Sequence, residues 1–150
     1  TFKYFSVRLP NPKFRKRIID LHDLQHILLN KNTTWKGEAY VSGYEISTGI
    51  GKQFPIVLYS LWAMGFSLWI YPKAVYNGYG KGFNTTGVFN LSIPKSKVLQ
   101  ITLEELHKIS SSKQKRYPQW ALTPLFIFWS ILSQILFLGP ILFILLLIIY

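Results

Sequence analysis

From Pro118 to Tyr150 the chain carries no charged residue, and this run limits the possible folds more than any other feature. The sequence predicts a membrane span over 120–138, about 19 residues long, broken at Gly139-Pro140 because proline removes a backbone donor and crowds the preceding turn. Built as one straight helix, the whole run would measure roughly 50 Å against a hydrocarbon core of roughly 30 Å. The expected tail is therefore a spanning helix that tilts or kinks, or a hairpin that turns back at Gly139-Pro140. Lys113, Lys115 and Arg116 stand immediately before it. A basic flank of this kind places the body on the cytoplasmic side of a bacterial inner membrane or the matrix side of a mitochondrial one.

Composition agrees with lipid contact. Hydrophobic residues make up 49% of the chain and charged residues only 15%, so the chain is apolar for a water-soluble protein. Seventeen Lys and Arg against six Asp and Glu give a net charge of +11, which suits a partner bearing phosphates, either nucleic acid or lipid headgroups. Tyr4, Phe5, Arg8 and the run Phe14 to Arg17 mix basic and aromatic residues, but no RNA-binding motif is legible. With the apolar tail present, membrane lipid is the expected partner and nucleic acid is not. The absence of cysteine excludes disulfides, thiolate metal sites and cysteine nucleophiles.

The pattern along the chain is all-α. Residues 1–13 read as an N-terminal arm, since Pro10 and Pro12 oppose a regular helix and no apolar stretch of a secretory signal is present. A helical domain follows over 14–110, then a basic linker over 111–117 and the tail over 118–150. Within the domain, 14–29 form a helix with Ile18, Leu21, Leu24, Gln25 and Leu28 on one stripe. Asn30 to Thr34 end it and cap a second helix from about Trp35 to Thr48, which stops at Gly49 and Gly51. Residues 54–72 are uncharged and fenced by Pro55 and Pro72; a core helix lining a groove for a lipid tail is favoured over a second span. Lys73 to Phe83 is basic and aromatic, with Gly78, Gly80 and Gly82 expected to weaken any helix. Residues 84–95 look like loop. Thr102 and Glu105 fit the capping box of a short helix, and the serines from 110 begin a linker.

Chemistry concentrates in residues 20–45, which hold two of the three histidines and four of the six acids: Asp20, Asp23, Glu38 and Glu45. His22 and His26, four residues apart on one helix, project from one face and can grip one ion. Asp23 lies about 100° around the helix from His22, able to act as a ligand, as a base, or as an acceptor that orients an imidazole. If the first two helices form an antiparallel hairpin, Glu38 comes level with His26. Two imidazoles and a carboxylate would leave positions open for water or substrate. Equally, a His-x-x-x-His pair is often a surface feature, and Asp20, Asp23 and Glu45 can pair with Lys13, Arg15, Lys16, Arg17 or Lys36 as solvated helix charges.

His22-Asp23-Leu24-Gln25-His26, with Glu38 twelve positions beyond His26 and preceded by Gly37, resembles the signature of the Coq-four family of ubiquinone biosynthesis. The likeness extends through the apolar segment near Phe54-Pro55 and the basic stretch after Pro72 to VLQITLEELHKI at 98–109, covering about residues 14–109. The resemblance implies an all-helical, membrane-associated protein with a divalent metal (Zn, Fe or Mn) on His22, Asp23, His26 and Glu38. It further implies binding of a polyprenyl quinone intermediate, with oxidative decarboxylation at C1 of the ring as the assigned activity; in such a reaction Asp23 is expected as fourth ligand or catalytic base. The tail at 118–150 departs from the family pattern. That departure keeps open an alternative: a non-catalytic accessory subunit of a larger respiratory or photosynthetic membrane complex, binding lipid or quinone. Trp62 and Trp69, seven apart on one face, and the cations Lys73 and Lys81 are candidates for lipid contact. Ser130, Ser133 and Gln134 recur at one-turn spacings in the tail and suit contact with helices of other subunits.

Overall fold

A computed structural model describes residues 13–49, 54–112 and 119–149. Residues 1–12 of the expected arm over 1–13, Gly51 and the basic flank at Lys113, Lys115 and Arg116 lie outside these, and Lys13 opens the first helix. The described chain is all-α: α1 (Lys13–Leu28), α2 (Trp35–Thr48), α3 (Phe54–Ile70), α4 (Pro72–Phe83), a 3₁₀ turn (Val88–Asn90), α5 (Lys95–Val98), α6 (Leu103–Ser112) and α7 (Gln119–Ile149).

Local signals act where the sequence places them. Asn30 adopts φ 51°, a left-handed conformation asparagine tolerates, and so turns the chain out of α1. Thr34 caps α2 by accepting the Gly37 N–H, and Gly49 closes it at φ 69°. Pro72 opens α4 at a position where a missing N–H costs nothing. The Thr102 hydroxyl accepts the Glu105 N–H at the start of α6.

Two apolar clusters organise the helices. The larger joins α2, α3 and α4 through Ala39, Ile46, Leu61, Met64, Val75, Tyr79 and Phe83, with Phe126, Trp129, Leu132 and Leu136 of α7 laid against it. The smaller gathers Leu21 and Leu28 of α1 with Val88, Val98 and Leu106. Leu21, Leu28 and a fully buried Gln25 occupy the α1 stripe expected of them.

Three expectations are corrected. First, the glycines of 73–83 do not prevent a helix; Gly78 and Gly82 let α4 lie directly on α2. A Cβ at Gly78 would sit 1.9 Å from the Tyr40 carbonyl oxygen, one at Gly82 2.5 Å from the Tyr44 oxygen, and one at Gly43 of α2 2.2 Å from the Val75 oxygen. Backbones can approach this closely only where side chains are absent. Second, the serines at 110–112 continue α6 instead of beginning a linker. Ser110 is buried, and its hydroxyl donates to the Thr86 carbonyl. Third, α7 neither breaks nor turns back: it is helical through Pro124 and Pro140 to Ile149, which removes the hairpin alternative. A proline forfeits one intrahelical bond, and the uninterrupted helical bonding on either side keeps the remaining polar groups paired in an apolar segment.

Candidate metal centre

The site forms where α1 crosses the start of α2, between the two clusters. His22 and His26 leave α1 one turn apart, and Glu38 leaves the first turn of α2 opposite them. His22 Nε2 lies 3.3 Å from Glu38 Oε2, and His26 Nε2 lies 3.3 Å from Glu38 Oε1. The two Nε2 atoms are 3.2 Å apart.

Each ring is held from behind. His26 Nδ1 donates to the Asn32 carbonyl at 3.1 Å, and His22 Nδ1 donates to Glu45 Oε1 at 3.0 Å. With Nδ1 of both rings engaged as donor, both Nε2 atoms face the Glu38 carboxylate. Two lone pairs at this separation repel unless a proton or a cation lies between them. For metal–ligand bonds of roughly 2.0–2.1 Å, neighbouring ligands of a tetrahedral site stand roughly 3.3–3.4 Å apart. The 3.2 Å between the two Nε2 atoms is close to that edge length, and one ligand atom from each of His22, His26 and Glu38 lies within 4.8 Å of the others, a grouping able to hold a small divalent cation.

The loop between α1 and α2 supports this geometry. The Lys31 N–H bonds the His26 carbonyl at 2.8 Å, and the Lys31 ammonium lies 4.6 Å over the Tyr40 ring. A Cβ at Gly37 would stand 1.8 Å from the Asn32 oxygen, the oxygen that anchors His26. The Gly37-Glu38 pair thus has a steric cause: glycine admits the loop, and the next residue reaches the histidines.

Electrostatics follow from the packing. Burial pulls the His22 pKa down, but hydrogen bonds to Glu38 and Glu45 and the charges of both outweigh it, raising it to about 10. Burial pushes Glu38 up, yet its contacts with His22 and His26 prevail and lower it to about 2. Among the described residues, the ion pairs made by the two carboxylates are all to histidine, with no Lys or Arg among them. With His22 deprotonated at Nε2, as metal ligation requires, the two carboxylates would carry the charge that one divalent cation balances.

His22, Asp23, Glu38 and Glu45 open onto a cavity of about 420 Å³, whose other walls include Ile19, Ile56, Tyr59, Trp62, Ala63 and Phe89. Polar groups at one end and apolar or aromatic groups along the rest make a site for an amphipathic molecule.

No protein-family model, curated protein or solved structure matches this chain.

Of the residues singled out by sequence, the fold gathers His22, His26 and Glu38 and leaves Asp23 outside the cluster, exposed on the cavity wall. One residue around the helix from His22, Asp23 points away from the common focus of the two imidazoles. Trp62 lines the cavity and meets Phe137 of α7 edge-on at 5.7 Å. The Trp69 indole N–H donates to Gln134 Oε1 at 2.9 Å. Lys73 borders a separate shallow pocket with Leu68, Tyr76 and Phe126, and Lys81 is exposed near the end of α4. Among the described residues, Asp20 pairs with Lys95 of α5, at 2.7 Å.

Glu45 is the residue whose place sequence reasoning missed. Expected as a solvated partner for lysine or arginine, it is 2% exposed and bound by His22, Gln25 and Ser60. Its sequence signal was weak but present: Glu45 lies seven residues beyond Glu38, about two helical turns, and so shares its face of α2.

Proposed function

We propose that this chain is a Coq-four-like membrane protein of ubiquinone biosynthesis, holding a divalent metal on His22, His26 and Glu38 beside a cavity for a polyprenylated ring. The observation that carries the metal reading is the convergence of the two Nε2 atoms, 3.2 Å apart, on one carboxylate while both Nδ1 atoms are tied back. The family reading rests on the spacing of His22, Asp23, His26 and Glu38 and on the Gly37-Glu38 pair.

Chemically, such a cation would act as a Lewis acid toward an oxygen of the substrate ring. Asp23, on the cavity wall, is placed to exchange a proton with a bound molecule. Ile56, Tyr59, Trp62 and Ala63 would sequester the apolar part, which gains by leaving water. Oxidative decarboxylation at C1 of the ring is the activity to assay. Trp62, Trp69, Lys73 and Lys81 supply aromatic and cationic groups at a lipid interface.

The tail supports a place at the membrane: Trp120–Ile149 is the one described helix long and apolar enough to cross a bilayer. We assign the body to the cytoplasmic or matrix side from the basic residues that precede it. The accessory-subunit alternative draws on the exposed flank of α7, which includes Leu125, Phe128, Ile131 and Ile135; lipid would cover that flank equally well.

The test is elemental analysis of the purified protein together with mass spectrometry of its co-purifying lipid. Stoichiometric metal that vanishes in His26→Ala and Glu38→Ala, with loss of quinone maturation in cells carrying either variant, is the expected result. Retained metal in both variants would refute the site. Metal loss with normal quinone levels would refute the enzyme and leave the accessory subunit.

A further inference from the structure

We propose that Glu45 is a positioning residue of the metal centre: its carboxylate holds the His22 ring so that Nε2, and not Nδ1, faces the cation. This inference rests on the metal reading above and adds to it a residue that never touches the ion.

The geometry is specific. Glu45 Oε1 accepts from His22 Nδ1 at 3.0 Å and from Gln25 Nε2 at 2.6 Å, while Oε2 accepts from the Ser60 hydroxyl at 2.5 Å. Three helices thus converge on one buried carboxylate, with Gln25 on α1, Glu45 on α2 and Ser60 on α3. Gln25 is itself fully buried, and its own Oε1 has no hydrogen-bond partner among the described residues, so the Glu45 contact is what orients its amide. A buried carboxylate is costly unless it is well hydrogen-bonded and paired with positive charge. Here three hydrogen bonds supply the pairing, and the positive charge would be the cation's, transmitted through the His22 ring.

Function follows from the shape of imidazole. Nδ1 and Nε2 lie on opposite edges of the ring, so Glu45 cannot ligate an ion bound at His22 Nε2. It can fix the tautomer, set the ring plane and make Nε2 a stronger donor; carboxylate–histidine–metal arrays work this way, and removing the outer acceptor typically costs roughly 10–100-fold in affinity. His26 is held instead by a neutral backbone carbonyl. The two ligands are therefore unequal, with the charged anchor reserved for the ring that opens onto the cavity.

The experiment uses the full chain in detergent micelles and zinc as the probe. Glu45→Gln keeps the side-chain shape and removes the charge. It is expected to weaken zinc binding at least tenfold with unchanged helix content, and to move the His22 ring nitrogens in proton–nitrogen correlation spectra of the loaded protein. Ser60→Ala frees one carboxylate oxygen without touching His22. It is expected to weaken zinc a fewfold and shift the same Nδ1 resonance, and it serves as the test should Glu45→Gln fail to fold. Wild-type affinity in a folded Glu45→Gln, or His22 ligating through Nδ1, would overturn the positioning role while leaving the metal site standing. A wild-type chain that takes up no zinc would overturn both.

Discussion

Gly37 connects backbone sterics to the chemistry of the site. Because a Cβ there would fall 1.8 Å from the Asn32 oxygen, Gly37→Ala must displace the carbonyl that anchors His26. Zinc affinity in this variant is expected to fall by roughly tenfold or more, as for other losses of a ligand's outer hydrogen bond; competition against a chromogenic chelator measures it. The charges give a pH dependence of definite sign. Without metal, the His22 pKa is raised from 6.5 to about 10, so its stabilisation is complete below 6.5 and is lost as pH climbs through about 10. Glu38, lowered from 4.5 to about 2, contributes above 4.5, and that contribution is lost as pH falls toward 2. The melting temperature of the metal-free protein should therefore decline between pH 6.5 and 10, and Glu38→Gln should flatten that decline. Because the cation needs the lone pair on His22 Nε2, metal uptake at neutral pH should also release a proton. Calorimetry in buffers of differing ionisation enthalpy detects it.

Among the elements, α4 tests how glycine is used. Gly78 faces the Tyr40 carbonyl with no room for a methyl group, whereas a Cβ at Gly80 would meet only Leu122 Cδ1 at an ordinary 3.7 Å. Gly78→Ala should destabilise the protein by about 1–3 kcal/mol through overpacking. Gly80→Ala, two residues away, should stabilise it by about 0.5–1 kcal/mol because alanine loses less backbone entropy in a helix. Denaturant titration in mild detergent reads both, and equal effects would contradict the direct seating of α4 on α2. Helix α7 shows a related use of small and polar residues. Ser133 is buried, its backbone oxygen lies where a Cβ on Gly65 would clash, and Gln134 bonds both the Gly65 carbonyl and Trp69. Two members of the stripe that suggested other subunits, Ser133 and Gln134, are thus engaged by α3 of the same chain.

For the whole molecule, the decisive feature is that α7 belongs to the folded body along one flank and presents bare apolar side chains along the other. Every residue from Pro140 to Ile149 is exposed. A helix of such composition loses far more in water than in hydrocarbon, so the native protein should stay with membranes through alkaline carbonate washing. Removing 119–149 should not yield a well-behaved soluble domain. It would uncover the faces of α3 and α4 against which Phe126, Trp129, Leu132 and Leu136 pack, and aggregation on truncation is the expected outcome by light scattering.

What the sequence determined by itself was local: the all-α class, α1, α2 and α3 to within a residue or two, the capping of α2 and α6, the apolar tail, and the pairing of His22 with His26. Each of these depends on spacings within one helix or on the residue types at its ends, and neither needs knowledge of distant contacts. Tertiary structure alone decided that Glu45 is buried behind His22, that Asp23 stands apart from the cluster, that three glycines of 73–83 sit in a helix, and that the polar stripe of α7 turns inward. These properties depend on which helix faces which, and a charge or a glycine carries no mark of its neighbour until packing supplies one.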